Sequence, residues 1–327
     1  MYCFDEYLPA VKKMPDNPAR NLIFLLLVCG FWTLESFSQG TWTPKTSLSG
    51  TSRTFAAGFS IGTKGYIATG ANATGTTVYK DLWEWDQVTG FWTQQTSLPP
   101  AASARAFAVG FSIGTKGYIG TGVDFGGGST FKDFWEWDQA TNTWIARASL
   151  PAAAQARYAA VGFSIGTKGY IGTGVDATSS VYFKDFWEWD QATNTWIARS
   201  SMPAAAQARA YAASFSIGTK GYIGTGSDVG GTMLNNFWEW DQATNVWIVR
   251  APFGGAARSE ATGFSIGNFG YIGIGTTSIG SGTVSNFWQY DPALNTWTVQ
   301  APFGGGLREM AVGFVIGCNG YFQRTNG

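Results

Sequence analysis

An all-β propeller built of four-stranded blades is the fold this sequence predicts, and three observations predict it. A unit of about 50–52 residues recurs, marked by a closing Trp at Trp42, Trp92, Trp144, Trp196, Trp247 and Trp297. Each unit divides into four short strand-like segments joined by turns. The composition agrees: 44 Gly in 327 residues, 16% aromatic and only 13% charged suit short strands and tight turns better than helices.

The unit beginning at Arg157 shows each element in order. Tyr158 to Ile165 (YAAVGFSI) alternates large and small side chains, and its Ala and Gly suit the crowded strand nearest a central channel. The link GTK, residues 166–168, turns the chain into a second strand, GYIGTG, as a hairpin. A looser loop, VDATSSVYFKD, leads to the third strand, Phe186-Trp187-Glu188-Trp189-Asp190. There Trp187 and Trp189 fall on one face, Phe186 and Glu188 on the other. Asp190 and Asn194 bracket a tight turn, because Asx side chains bond their own backbone. Trp196 opens the fourth strand, and Pro203 starts the connection to the next unit.

The same landmarks run the length of the chain. GTKGYI recurs at Gly62, Gly114, Gly166 and Gly218, and decays to GNFGYI at Gly267 and GCNGYF at Gly317. Relatives of FWEWDQATNTW begin at Leu82, Phe134, Phe186, Phe237 and Phe287. Of the 16 Trp, all but Trp32 occupy repeat positions, which assigns them to packing between blades rather than to a cofactor.

A small-residue first strand, a Gly-Tyr second strand, a WEWD third strand and a closing Trp together resemble the Kelch-repeat family of galactose-oxidase-like propellers. The resemblance runs from about Trp42 to the C-terminus and implies a ring of blades around a channel. Gly-Thr-Gly (Gly120–Gly122, Gly172–Gly174) stands where the family usually has a Gly-Gly pair. The chain stops at GYFQRTNG, two strands into its last unit, and therefore reads as truncated. Trp42 to Leu48 is a fourth strand without its first three. With Met310 to Gln323 it makes a composite sixth blade, so the expectation is five complete blades plus an incomplete sixth made from both termini. In that sixth blade Trp42's strand has no neighbour.

Residues 1–38 read as an upstream extension and a signal peptide, with the natural start at Met14; residues 39–327 form the propeller. Arg20 precedes the apolar stretch Leu22 to Leu34, and Ser36 and Ser38 precede a cut before Gln39. The stretch is too short to span a membrane comfortably. Cys29 could serve a lipid anchor only with the bulky Val28 before it. The expected location is therefore exported: secreted, periplasmic or cell surface. Loss of 1–38 leaves 18 positive and 17 negative side chains, so nothing in the charge favours nucleic acid. It also leaves Cys318 alone, which rules out an internal disulfide and makes a small buried apolar residue the expected role.

The chain has no His. That argues against a Ser/His/Asp triad and against a copper site of the kind the family resemblance would otherwise suggest. No metal or other cofactor is expected, and no catalytic constellation is recognisable. One polar feature repeats: Arg53, Arg105, Arg157, Arg209, Arg258 and Arg308 each start a first strand. They lie at the same end as the variable loops 124–132, 176–184 and 228–235. Such a ring either binds carboxylates or acidic glycans through bidentate pairs, or braces the blades internally. Glu260 and Glu309 break the pattern beside the last two arginines, as ligand contacts or as drift in end units. The leading expectation is a monomeric scaffold binding a protein or glycan on its loop face. The alternatives are a sugar-isomerase-like enzyme using Glu260 or Glu309, and a structural module of a larger surface protein.

Overall fold

The computed structural model of the chain describes residues 1–5, 40–126, 128–277 and 282–323. Within them six four-stranded antiparallel sheets form the blades of a propeller, and no helix is long and apolar enough to cross a membrane. Blade III has strands Val161–Ile165, Lys168–Gly172, Phe186–Asp190 and Thr195–Arg199, paired in that order from axis to rim. Blades I, II, IV and V repeat it over 57–95, 109–147, 213–250 and 262–300. The first strands of successive blades touch all the way round, including blade VI to blade I, so the ring is closed.

The elements form where the residue pattern places them, with one informative shift. The first strand starts at Val161 rather than Tyr158, because Ala159 takes φ 51° and interrupts the extended chain. The two-residue link between Ile165 and Lys168 has Gly166 at φ 58°, the sign that a tight hairpin needs at that position. Gly169 is required for a different reason: a Cβ there would lie 2.5 Å from the ring of Phe111 in blade II. The invariant Gly of GTKGYI is thus the seat for the preceding blade's Phe.

Alternation on the third strand sends its two faces to two different neighbours. The Trp189 ring lies 4.8 Å from Tyr118 and 5.1 Å from Phe134, both of blade II. On the other face, Phe186 lies 5.0 Å from Trp240 of blade IV. Each inter-blade gap holds one apolar cluster of this kind. A buried aromatic of this size contributes roughly 1.5–3 kcal/mol, so the clusters are the main cohesion of the ring. Polar stitches run along them. The closing Trp of each blade donates its indole N–H to a carbonyl of the preceding blade, for example Trp196 to Ala148 at 2.6 Å and Trp247 to Ser200 at 2.6 Å.

Blade VI is where the structure adds most. Its strands are Val312–Ile316, Asn319–Gln323, Tyr2–Asp5 and Thr41–Pro44. The composite of both termini is present, but Trp42's strand does have a neighbour. Tyr2–Asp5 occupies the third-strand place, with Cys3 opposite Tyr321 and Phe4 opposite Trp42. The sequence places residues 1–38 outside the propeller, as an upstream extension and a signal peptide; MYCFD carries no Trp and matches FWEWD only in having large apolar residues around its middle and a final Asp. The apolar stretch at 22–34 and the proposed cut lie outside the described residues. Cys318 also departs from expectation: it is exposed, because it sits in the two-residue link between Ile316 and Asn319.

Candidate functional site

The repeated arginines come first, and the structure places most of them inside the blades. Arg157 is fully buried. Its guanidinium makes a bidentate pair with Asp185 at 2.5 and 2.6 Å, donates to the Gln155 and Thr173 carbonyls, and lies 4.4 Å over the Phe183 ring. Arg53 and Arg105 repeat this with Asp81 and Asp133. The carbonyls of Arg105 and Arg157 accept from the preceding blade, from Gly70 at 2.8 Å and Gly122 at 2.9 Å. These three therefore brace loop and blade rather than line the channel mouth. Repetition alone could not separate bracing from binding; the deciding partner, an Asp 28 residues onward, sits inside the loop.

Blades IV and V weaken the brace. Asn236 and Asn286 replace the Asp, so Arg258 keeps one side-chain bond, to Asn286 at 2.6 Å, and a terminal nitrogen of Arg209 is buried without a partner. Burial alone pulls both guanidiniums down to about 10. Arg308, in the last unit, is only half-buried and donates to the Leu307 carbonyl at 2.8 Å.

Two residues beyond each Arg, the chain turns onto the channel mouth. Phe55, Phe107, Ala159, Tyr211, Glu260 and Met310 hold these six places, and all have φ between 51° and 60°. That left-handed backbone costs roughly 1 kcal/mol or more per residue outside Gly. It is held by a chain of backbone bonds from blade to blade. Phe107 donates to Phe55, Ala159 to Phe107, Tyr211 to Ala159, Glu260 to Tyr211 and Met310 to Glu260. The Arg two places before and the Ala one place after are the same in every blade, while these six, and the places just before them (Thr54, Ala106, Tyr158, Ala210, Ser259 and Glu309), differ in size, polarity and charge.

The rim is accordingly lopsided. On one side Phe55 and Phe107 stack at 4.0 Å, Phe125 stands edge-on to both, and Tyr211 lies 5.3 Å from Phe107. On the other side Glu260 and Glu309 face a cavity of about 430 Å³ shared with Tyr182, Tyr211, Ser259 and Thr283. The Thr283 hydroxyl donates to Glu309 at 3.4 Å. Burial, and then the charge of Glu309, pushes the Glu260 carboxyl up to about 7. Burial and a hydrogen bond with Tyr158 keep the Tyr211 hydroxyl well above the usual tyrosine range. The structure thus brings together Glu260 and Glu309 from the sequence reading and adds Phe55, Phe107 and Tyr211 to them. The signal for these was the variability of the two places after each Arg. No group of three or more His, Cys, Asp or Glu suited to a metal occurs among the described residues.

No protein-family model and no curated protein sequence matches the chain. Among solved structures, that of YjhT is similar, with a TM-score of 0.68 over 83% of this chain and 89% of that one. The two share 16% sequence identity, so the likeness concerns the fold.

Proposed function

We propose that this chain is an exported Kelch-type propeller that works as a binding module, taking a protein or glycan ligand at the channel mouth on its loop face. The observation that carries this reading is the break in symmetry at the rim. A scaffold that only had to close a ring would have no use for five different residue types at six equivalent, backbone-strained places. Strain of this kind, held by its surroundings, concentrates at binding and switch sites. Aromatic rings offer flat apolar faces to a sugar or a side chain at low entropic cost. The test is a glycan and peptide array probed with the full chain and with Phe107→Ala and Tyr211→Ala. Binding that both variants lose supports the reading; binding that neither alters places the ligand elsewhere.

A second reading has its own support. Glu260, poised near neutral pH beside Glu309, has the proton affinity of a general acid or base. A sugar isomerase would use such a pair. Turnover of a free sugar, followed by NMR and abolished in Glu260→Gln, would favour it over pure binding.

A further inference from the structure

We propose that the ligand of this mouth carries an ammonium group, seated between the aromatic wall of Phe55, Phe107 and Tyr211 and the carboxylates of Glu260 and Glu309. The inference rests on the binding-module reading and narrows its ligand to one chemistry.

The charge of the lining points the same way throughout. The axial pocket is bounded by Phe55, Phe107, Tyr211, Glu260 and Met310 with small residues between them, and the adjoining 430 Å³ cavity adds Tyr182, Ser259, Thr283 and Glu309. Neither lining includes a Lys or Arg, so its formal charge is carried by two carboxylates. The neighbouring arginines have partners of their own. Arg258 bonds Asn286 and the Ile274 carbonyl, Arg209 bonds the Thr225 carbonyl, and Arg308 reaches back to Leu307. An anionic sugar would meet like charge here, with no guanidinium in either lining.

A cation meets two complementary surfaces. The ring faces of Phe and Tyr attract a cation through their quadrupole, more strongly where water is excluded. The carboxylates supply charge on the opposite side. Two like charges held together in a half-buried site oppose each other's ionisation, which is visible in the effect of Glu309 on Glu260. A bound ammonium removes that opposition, so the site gains from this ligand what it loses without it. The chain already uses the same pairing inside its blades, where Arg105 lies 4.5 Å over Phe131 while bonded to Asp133.

Three sources share the chemistry: a small quaternary amine, an amino sugar and a lysine side chain. The full-length chain is titrated calorimetrically at pH 8 with choline and with its neutral isostere, 3,3-dimethylbutan-1-ol. A chitosan oligomer is set against its N-acetylated form, and a lysine-rich peptide against its acetylated form. At least one ammonium probe is expected to bind at least about tenfold more tightly than its neutral counterpart. Glu260→Gln with Glu309→Gln is expected to remove that preference, and Phe107→Ala to weaken binding, with each variant still folded by circular dichroism. The pair that shows the preference identifies the source. Equal binding of charged and neutral probes overturns the ammonium, as does a preference that survives the Glu→Gln changes. Capture of a neutral or acidic glycan that Tyr211→Ala abolishes, with no ammonium probe bound, also overturns it but keeps the binding module. Failure of every probe and every array ligand at the mouth sinks both.

Discussion

Single residues carry two opposite electrostatic designs in this propeller. Arg157 is a buried charge with its counter-charge in place, so Arg157→Ala strips Asp185 of its partner and is expected to cost about 3–5 kcal/mol in urea unfolding. Arg209 lacks the carboxylate, since Asn236 stands where Asp185 does in blade III. Asn236→Asp should therefore stabilise the fold, by about 1–2 kcal/mol at pH 7. An Asp paired with Arg209 has its folded pKa depressed. Its contribution is present above the unfolded value of about 4 and disappears as the pH falls through the folded one, so the gain should vanish in acid. Glu260 behaves in the reverse sense. Its folded pKa, about 7, lies above the ordinary 4.5 because of burial and the facing Glu309, while the nearby Tyr211 hydroxyl stays protonated. Between those values the native state holds a proton that the unfolded chain has released. Stability should fall as the pH rises from about 4.5 to about 7, by on the order of 2–3 kcal/mol. Glu260→Gln should flatten that part of the pH–stability curve, and an unchanged slope would place the titration on another group.

At the scale of an element, the turn between the third and fourth strands shows how much one repeated residue can carry. Asn194 has φ 53°, and its side-chain oxygen accepts from the Ala148 amide of blade II at 2.9 Å and from the Trp189 indole at 3.3 Å. It is at once a turn residue and a clasp between blades. Asn194→Ala removes both bonds and strains the backbone, at an expected cost of about 2 kcal/mol. Asn194→Gly relieves the backbone only, and should recover part of that loss in thermal melts. If the two variants melt alike, the clasp rather than the φ decides the cost. The turn was legible in the sequence because Asx chemistry is local; the clasp was not, since Ala148 is contributed by another blade. The same division holds elsewhere. The period and the alternating faces of FWEWD give the blades and their inter-blade packing, both set by neighbours along the chain. The Asp partners of Arg53, Arg105 and Arg157 recur just before each third strand but lie within looser loops, where no strand alternation marks which side chain turns inward. The rim residues were hidden differently: Phe55 and Tyr211 sit in a left-handed bend that the strand pattern reads through as extended.

The whole molecule depends on how its ring closes, and there the proposed export cut and closure make opposite demands on one segment. Tyr2–Asp5 bridges Asn319–Gln323 and Thr41–Pro44, and Phe4 packs at 5.0 Å on Trp42 and 5.1 Å on Phe287 of blade V. Cleavage before Gln39 would take that strand away. A slot one strand wide would then separate two edges whose backbone donors and acceptors face each other across it. An open slot of that kind takes up an extended peptide through main-chain bonds, with side-chain pockets setting the register. The pockets here match the blades' own third strand. Cys3 holds the register of Glu188, opposite a Tyr whose hydroxyl in blade III donates to that Glu at 2.9 Å. Lys45, bonded through its amide to the Met1 carbonyl, stands near the place of Arg199, which pairs with Glu188 at 2.8 Å. A peptide DFWEWDQ should therefore fit the slot with its Glu between Tyr321 and Lys45. Residues 39–327 alone are expected to melt below the full chain, and this peptide to raise their melting point where a scrambled peptide does not. The full chain, its slot filled, should respond to neither. Equal effects of the native and scrambled peptides would mean that blade VI closes without a third strand.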